Sequence, residues 1–317
     1  MGLRDFLPEN FLLGTSSDKC PLSFNPELAD LIVENFNCIT VANNMKRRHV
    51  CPLPDRIDLD PIDWMVNFCR SHNIVLRGHG LLTRNDNSFF LQSLPIEEVK
   101  AHWENYVTQI FTRYRGLIPF YDVAIEQVGN DGSLLGNFWT NKLGANHVHK
   151  TFALAHEADP DAKLFYCDYG LHNNLKSAGV FNLINSIRSA GAPVHGLAIQ
   201  LHHNISGVVK LLWFRRLIRQ AKAEDLIVHI SEVTIWGNLG LPETTTEIAQ
   251  SHIYAKLLDI CFDEGVDFFN CWSSCDRFTW RNAERTPGWW DEDYQPKKAV
   301  REIERTLQKN FKPSPSQ

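Results

Sequence analysis

The sequence predicts an α/β protein, a (β/α)8 TIM barrel, on three observations. Eight short apolar runs recur along the 317 residues, and strands buried on both faces read as such continuous runs rather than as alternating ones. Amphipathic segments with apolar residues three and four apart separate them, giving the strand-helix rhythm of a barrel. Neither G-x-G-x-x-G nor a P-loop follows an early strand, so the open doubly wound sheet lacks its phosphate-binding turn.

In chain order the strand candidates are "FLLGTSS" from Phe11, "CITVANN" from Cys38, "IVLRGHGLL" from Ile74 and "FYDVAIEQV" from Phe120. "KLFYCDY" from Lys163, "GLAIQLH" from Gly196, "LIVHISEV" from Leu226 and "DFFNCWSS" from Asp267 follow. The helical patterns are "PIDWMVNFCRSH", "PIEEVKAHWENYVTQIFTRYRG", "VFNLINSIRSAG", "VVKLLWFRRLIRQAKA" and "TTEIAQSHIYAKLLDICFDEG", several with Gly near their ends. No low-complexity linker divides the chain, so residues 1–311 are expected to form a single domain and 312–317, "KPSPSQ", a disordered tail.

Composition excludes several functions. With 44% hydrophobic residues, 22% charged and a formal net charge of -5, the chain can bury a large core but carries no basic stripe for nucleic acid or an anionic membrane. The apolar run Phe11–Leu13 is too short for a signal peptide or a membrane span, and charges at Arg4, Asp5 and Glu9 surround it. The expected location is the cytoplasm. The eight cysteines, at 20, 38, 51, 69, 167, 261, 271 and 275, lack paired spacing. They are expected to be buried thiols rather than metal ligands, and no metal or cofactor is expected.

A barrel gathers the C-terminal ends of its strands at one mouth. Those ends supply Asn43 and Lys46, His79, Glu126, Asp168 and Tyr169, Gln200 and His202, Glu232, then Trp272 and Asp276. Glu126 closes a nearly apolar strand and is followed by the loop Gly129-Asn130-Asp131-Gly132. Paired with Glu232 it supplies the two carboxylates that glycosidic bond cleavage needs, one a proton donor and the other facing the oxocarbenium-like centre. Trp272, Trp280 and Tyr169 suit the apolar faces of sugar rings, and His79, Lys46, Asn43 and Gln200 suit hydroxyls. A small-molecule substrate, a glycoside, is the expected partner.

Over nearly its whole length the sequence resembles glycoside hydrolase family ten, the xylanase family. "NFNCITVANNMK" is similar to a motif ending in Glu-Asn-x-Met-Lys, "LRGHGLL" to Arg-Gly-His-Thr-Leu-Val, and "YDVAIE" to Trp-Asp-Val-Val-Asn-Glu. "FYCDYG", "GLAIQLHH" and "HISEVTI" resemble Asn-Asp-Tyr-Asn, Gly-Leu-Gln-Ser-His and Ile-Thr-Glu-Leu-Asp-Ile. "CWSSCDRFTWR" and "DEDYQPKKAV" resemble the closing Trp-Gly-x-x-Asp-x-x-Ser-Trp-Arg and the Tyr-x-Pro-Lys-Pro-Ala helix. The resemblance implies a retaining mechanism with Glu126 as acid/base and Glu232 as nucleophile. It implies that His202 holds Glu232 ionised and that His79, Asn43, Lys46, Gln200, Trp272 and Trp280 surround the cleaved sugar. His203 gains no role from it and reads as a loop or packing residue, while His147 and His149, in "GANHVHK", lie at a helix start and read as structural.

The departures from the family cluster in the site. Ile125 stands where the family has an Asn that meets the sugar 2-hydroxyl, Ala42 where it has Glu, and Thr83-Arg84 where it has Trp-His. Cys167 replaces Asn and Thr234 replaces Asp. An apolar wall at Ile125 should raise the Glu126 pKa and keep it a proton donor. The expected substrate is therefore a small or aryl-bearing glycoside rather than polymeric xylan. Two alternatives stay open: acid/base chemistry by the same glutamates on a non-sugar substrate, as in a biosynthetic tailoring step, and a barrel that binds a ligand without turnover.

Overall fold

A computed structural model describes residues 1–84, 89–207, 210–237, 240, 243–279 and 286–310. Trp280 and the expected tail at 312–317 lie outside the described residues. Eight parallel strands close in sequence order into a barrel: β1 Leu12–Ser17, β2 Cys38–Val41, β3 Val75–Thr83, β4 Phe120–Ile125, β5 Lys163–Tyr169, β6 Gly196–Asn204, β7 Ile227–Trp236 and β8 Phe268–Cys271. Among the described residues no helix is long and apolar enough to cross a membrane.

Each helix covers the barrel with the face its periodicity assigns. Ile96–Arg113 buries Val99, Trp103, Tyr106, Val107, Ile110 and Phe111, three or four apart. The helix His147–Ala158 begins at the helix start expected there, whereas Pro26–Asn35 and Phe138–Leu143 are not among the helical patterns read in the sequence. Caps define these two: the Asn25 and Asn137 side chains accept from Leu28 and Thr140 backbone N–H, each at 3.0 Å. The expected helix from Val180 begins earlier, at Asn174, because Asn173 caps it by accepting from Leu175 and Lys176 N–H.

The same Asn173 donates to Asn130 O at 2.8 Å, tying the loop after β4 to the cap of this helix. Gly179 lets loop and helix meet, since a Cβ there would lie 2.2 Å from Gly132 O. The segment that follows Glu126 is thus anchored to the scaffold.

Inside the barrel, side chains stack in layers. Arg77 is fully buried, with its guanidinium 5.3 Å from the ring centres of both Phe165 and Phe268. It grips Asp122 with both terminal nitrogens, and Asp122 Oδ2 lies 2.7 Å from His79 Nδ1. Burial pushes the Asp122 carboxyl up, but Arg77 and the His79 bond outweigh it and hold the pKa at about 2. Ile125, Phe165, Cys167 and Ala198 pack together above, with Ile125 level with Cys167 and Cys167 with Ala198 across the strands. Gln200, level with Tyr169 and Glu232, belongs to the next layer outward.

Candidate active site

The strand register breaks beneath both glutamates. β4 shifts between Asp122 and Ala124 against β5, β7 shifts against β6 beside Gln200, and β8 shifts against β7 between Ile230 and Val233. Such irregularities re-aim the side chains that follow. Glu126 itself adopts φ 56°, a left-handed backbone rare for a residue with a Cβ, and its N–H donates to Cys167 O at 3.0 Å. A strained conformation held at a strand tip is the mark of a positioned side chain.

Glu126 and Glu232 line one cleft of about 1020 Å³ at the barrel mouth. Asn43, Lys46, His79, Ile125, Tyr169, Gln200, His202 and Trp272 line it too. Glu232 is 5% exposed. His202 Nε2 lies 3.1 Å from its Oε2, and His79 Nε2 faces Oε1 at 3.7 Å. Because His79 Nδ1 donates to Asp122, its Nε2 is set by the buried Arg77–Asp122 pair below.

Glu126 is more open, and its carboxyl is pushed above the usual range by burial first, then by the charges of Glu232 and Asp168. Arg84 and Lys176 pull it down without cancelling the rise; Arg84 Nη2 sits 3.5 Å from Glu126 Oε2. The direction agrees with the expectation from Ile125, but the second carboxylate also contributes. Two neighbouring acids in different surroundings, one fastened by histidines and one holding its proton longer, suit opposite roles.

The β1–β2 side of the cleft is organised by a residue that sequence reading missed. Asp18, just past β1, accepts from the N–H groups of Asn43 and Asn44, each at 2.8 Å, and from Asn43 Nδ2 at 2.9 Å. Asn43 Oδ1 in turn accepts from Lys46 Nζ at 3.1 Å. Trp272 meets the His79 ring edge-on, with centres 5.0 Å apart. Trp236, Arg277 and Phe278 also reach the cleft and carried no sequence signal.

Two residues gathered at the mouth by sequence reading belong elsewhere. Asp168 is fully buried and bonded to Lys176 Nζ and Tyr166 Oη, each at 2.8 Å. Asp276 pairs with Lys297 Nζ at 2.8 Å. Both turn away because a buried ammonium compensates each carboxylate. His147 bonds Gly144 O and Gln127, His149 bonds Ser186, and His203 bonds Gly207 O. His79, Asp122 and Cys167 place ligand-type atoms within 4.8 Å of one another. Asp122 already engages Arg77 and His79, and burial pushes the Cys167 thiol well up, so this is a hydrogen-bonded network rather than a cation cage.

Cys167 and Gln200 complete the floor. Gln200 Nε2 donates to Cys167 Sγ at 3.4 Å, and that sulfur lies 4.0 Å from Glu232 Oε1. Ala42 and Thr83 also line the cleft, with side chains too short to reach far into it.

Comparison with known proteins agrees with this geometry. The family model "Glycosyl hydrolase family 10" matches residues 2–306. The endo-1,4-beta-xylanase B of Thermotoga neapolitana is 29% identical over 84% of this chain and 80% of that protein. The exoglucanase XynX of Acetivibrio thermocellus is 26% identical over 94% of this chain, which spans only 29% of that longer protein. Xylanase 10B from Thermotoga petrophila, solved in complex with xylobiose, superposes with a TM-score of 0.92 at 27% identity, covering 98% of each chain. A barrel with two mouth glutamates, matched by one family along almost all of its length, belongs to glycosyl hydrolase family 10, the retaining hydrolases of O-glycosyl bonds.

Proposed function

We propose that this glycoside hydrolase acts on a small or aryl-bearing glycoside rather than on polymeric xylan, with Glu126 as acid/base and Glu232 as nucleophile. The observation that carries the reading is Ile125. It stands beside Glu126 at 4% exposure and lines the cleft, presenting hydrocarbon where a sugar hydroxyl would need a partner. Ala42 and Thr83 shorten the reach of the same wall. A polymer depends on many such contacts to be held and distorted, whereas a substrate with a good leaving group asks less of them.

In the first step the Glu232 carboxylate attacks the anomeric carbon while Glu126 gives its proton to the leaving oxygen. The bond between that carbon and oxygen breaks, and the aglycone departs as an alcohol or phenol. Glu126, now ionised, is stabilised by Arg84 and takes a proton from water. The water oxygen attacks the anomeric carbon and frees Glu232. His202 and His79 keep the Glu232 carboxylate oriented throughout.

We also propose a cytoplasmic location, supported by cysteines that lie buried in the core except for Cys20, as thiols do in a reducing compartment. The test of function compares aryl glycosides of several sugars and both anomers with soluble xylan, following product stereochemistry by NMR. Turnover of the small substrates with retention and slow release from xylan is the expected outcome. Xylan cleavage as efficient as aryl glycoside cleavage would overturn the substrate assignment.

A further inference from the structure

A second cavity, of about 320 Å³, adjoins the cleft between the tips of β5 and β6 and the helix Leu211–Ala223. Tyr169, Gln200 and His202 line both spaces and form their shared border. Its apolar walls are Leu201, Trp213, Phe214, Ile235 and Leu257, of which Phe214, Ile235 and Leu257 are buried. Trp213 is fixed in place: its Nε1 donates to Leu171 O at 3.0 Å, and His172 meets its ring edge-on with centres 5.8 Å apart. The volume falls at the lower end of the range for ligand pockets, about 300–1,000 Å³.

Position says which part of a substrate would enter. The polar groups fit for a sugar, Asp18, Asn43 and Lys46, stand past β1 and β2, with Trp272 past β8. Glu126 stands just past β4 and Glu232 on β7. The chamber opens across the barrel from the sugar side, between β5 and β6, so a bond cleaved at the glutamates directs its leaving half there. His172, His203 and Lys210 also line the chamber, but the wall of Leu201, Trp213, Phe214 and Leu257 is hydrocarbon and indole, which the hydroxyl edge of a further sugar unit would leave unused and an aromatic ring would cover.

We propose that this chamber is a binding site for an aromatic aglycone, which packs on Trp213 among Leu201, Phe214 and Leu257 while the sugar lies on the β1–β2 side. The assignment rests on the function proposed above and specifies its leaving group. Aromatic rings gain offset or edge contacts with indole beyond the burial of their area.

The test compares an aryl glycoside with the glycosyl fluoride of the same sugar, whose leaving group is too small to occupy the chamber. In Trp213→Leu, kcat/KM for the aryl substrate should fall about two- to tenfold, with the fluoride unchanged. Equal losses on both substrates, or none on either, would overturn the chamber while leaving the glycosidase assignment intact. Saturation-transfer NMR with 4-nitrophenol reads the site without turnover. Transfer in the wild type that is lost in Leu201→Phe, which fills the space, supports the chamber even if no glycoside is hydrolysed. No transfer in the wild type overturns it.

Discussion

Replacing Ile125 by Asn tests the strand-four substitution at its source. The isoleucine is 4% exposed, packs with Phe165, Cys167 and Ala198, and still lines the cleft. Loss of its buried hydrocarbon should destabilise the fold by about 1.5–3 kcal/mol. In a chain of this length that is roughly 2–5 °C of Tm, read by thermal unfolding. The gain, if the substrate is a sugar, is a hydrogen bond to the 2-hydroxyl that strengthens as charge develops. Such a bond is worth roughly 1.5–3 kcal/mol, or about ten- to a hundredfold in kcat/KM on aryl xylosides.

The two effects are separable because stability and rate are measured independently. If the substrate is instead a non-sugar molecule that packs on Ile125, the new amide is buried without a partner and the native reaction falls by a similar factor. Glu232→Gln sets the background rate, since it removes the attacking carboxylate. Unchanged rates on every substrate, with the expected loss of Tm, would refute the reasoning: Ile125 would then touch the core but not the reacting molecule.

Three further outcomes follow from the charges around the cleft. Because burial, Glu232 and Asp168 raise the Glu126 pKa, the folded state loses stability as pH rises from the ordinary glutamate value of 4.5 through the raised one. Glu126→Gln should therefore collapse turnover yet raise Tm at pH 7, a difference that closes on acidification; an equal Tm gain at all pH values would count against it. Arg84 opposes that rise from 3.5 Å, so Arg84→Ala should move the basic limb of the kcat/KM profile to higher pH, and an unmoved limb would show that the ion pair is absent in solution. Asp122→Ala leaves Arg77 buried without its counter-charge and should cost about 3–5 kcal/mol in chemical denaturation, whereas a loss below 1 kcal/mol would mean that water reaches the barrel interior.

How much of this was legible in the sequence depended on the range of the interaction. The strands were visible because an apolar run ending in a polar residue is a local pattern, and β5 begins and ends where "KLFYCDY" does. Phe138–Leu143 was not, because six residues are too short to show a helical period and the Asn137 cap defines its start instead. At the mouth, strand-end position brought Glu126, Glu232, His79, Gln200 and His202 to one cleft. The same rule failed for Asp168 and Asp276, since position fixes where a Cα stands and not which partner the side chain finds. Lys176 and Lys297, eight and twenty-one residues further along the chain, decide that.

Asp18 and Arg84 illustrate the converse. Each stands one residue past a strand, as Glu126 does, but acts through a neighbour: Asp18 fixes the loop that presents Asn43 and Lys46, and Arg84 biases the proton on Glu126. A carboxylate that must give a proton in one step and accept one in the next needs a pKa that is raised but not far out of range. Burial beside Ile125 and repulsion from Glu232 supply the rise, and a partly exposed guanidinium moderates it. The residue that departs from the family after strand three therefore offsets the burial that accompanies the departure at strand four. Arg84→Ala and Ile125→Asn are accordingly expected to interact rather than add when combined, because both act on one proton.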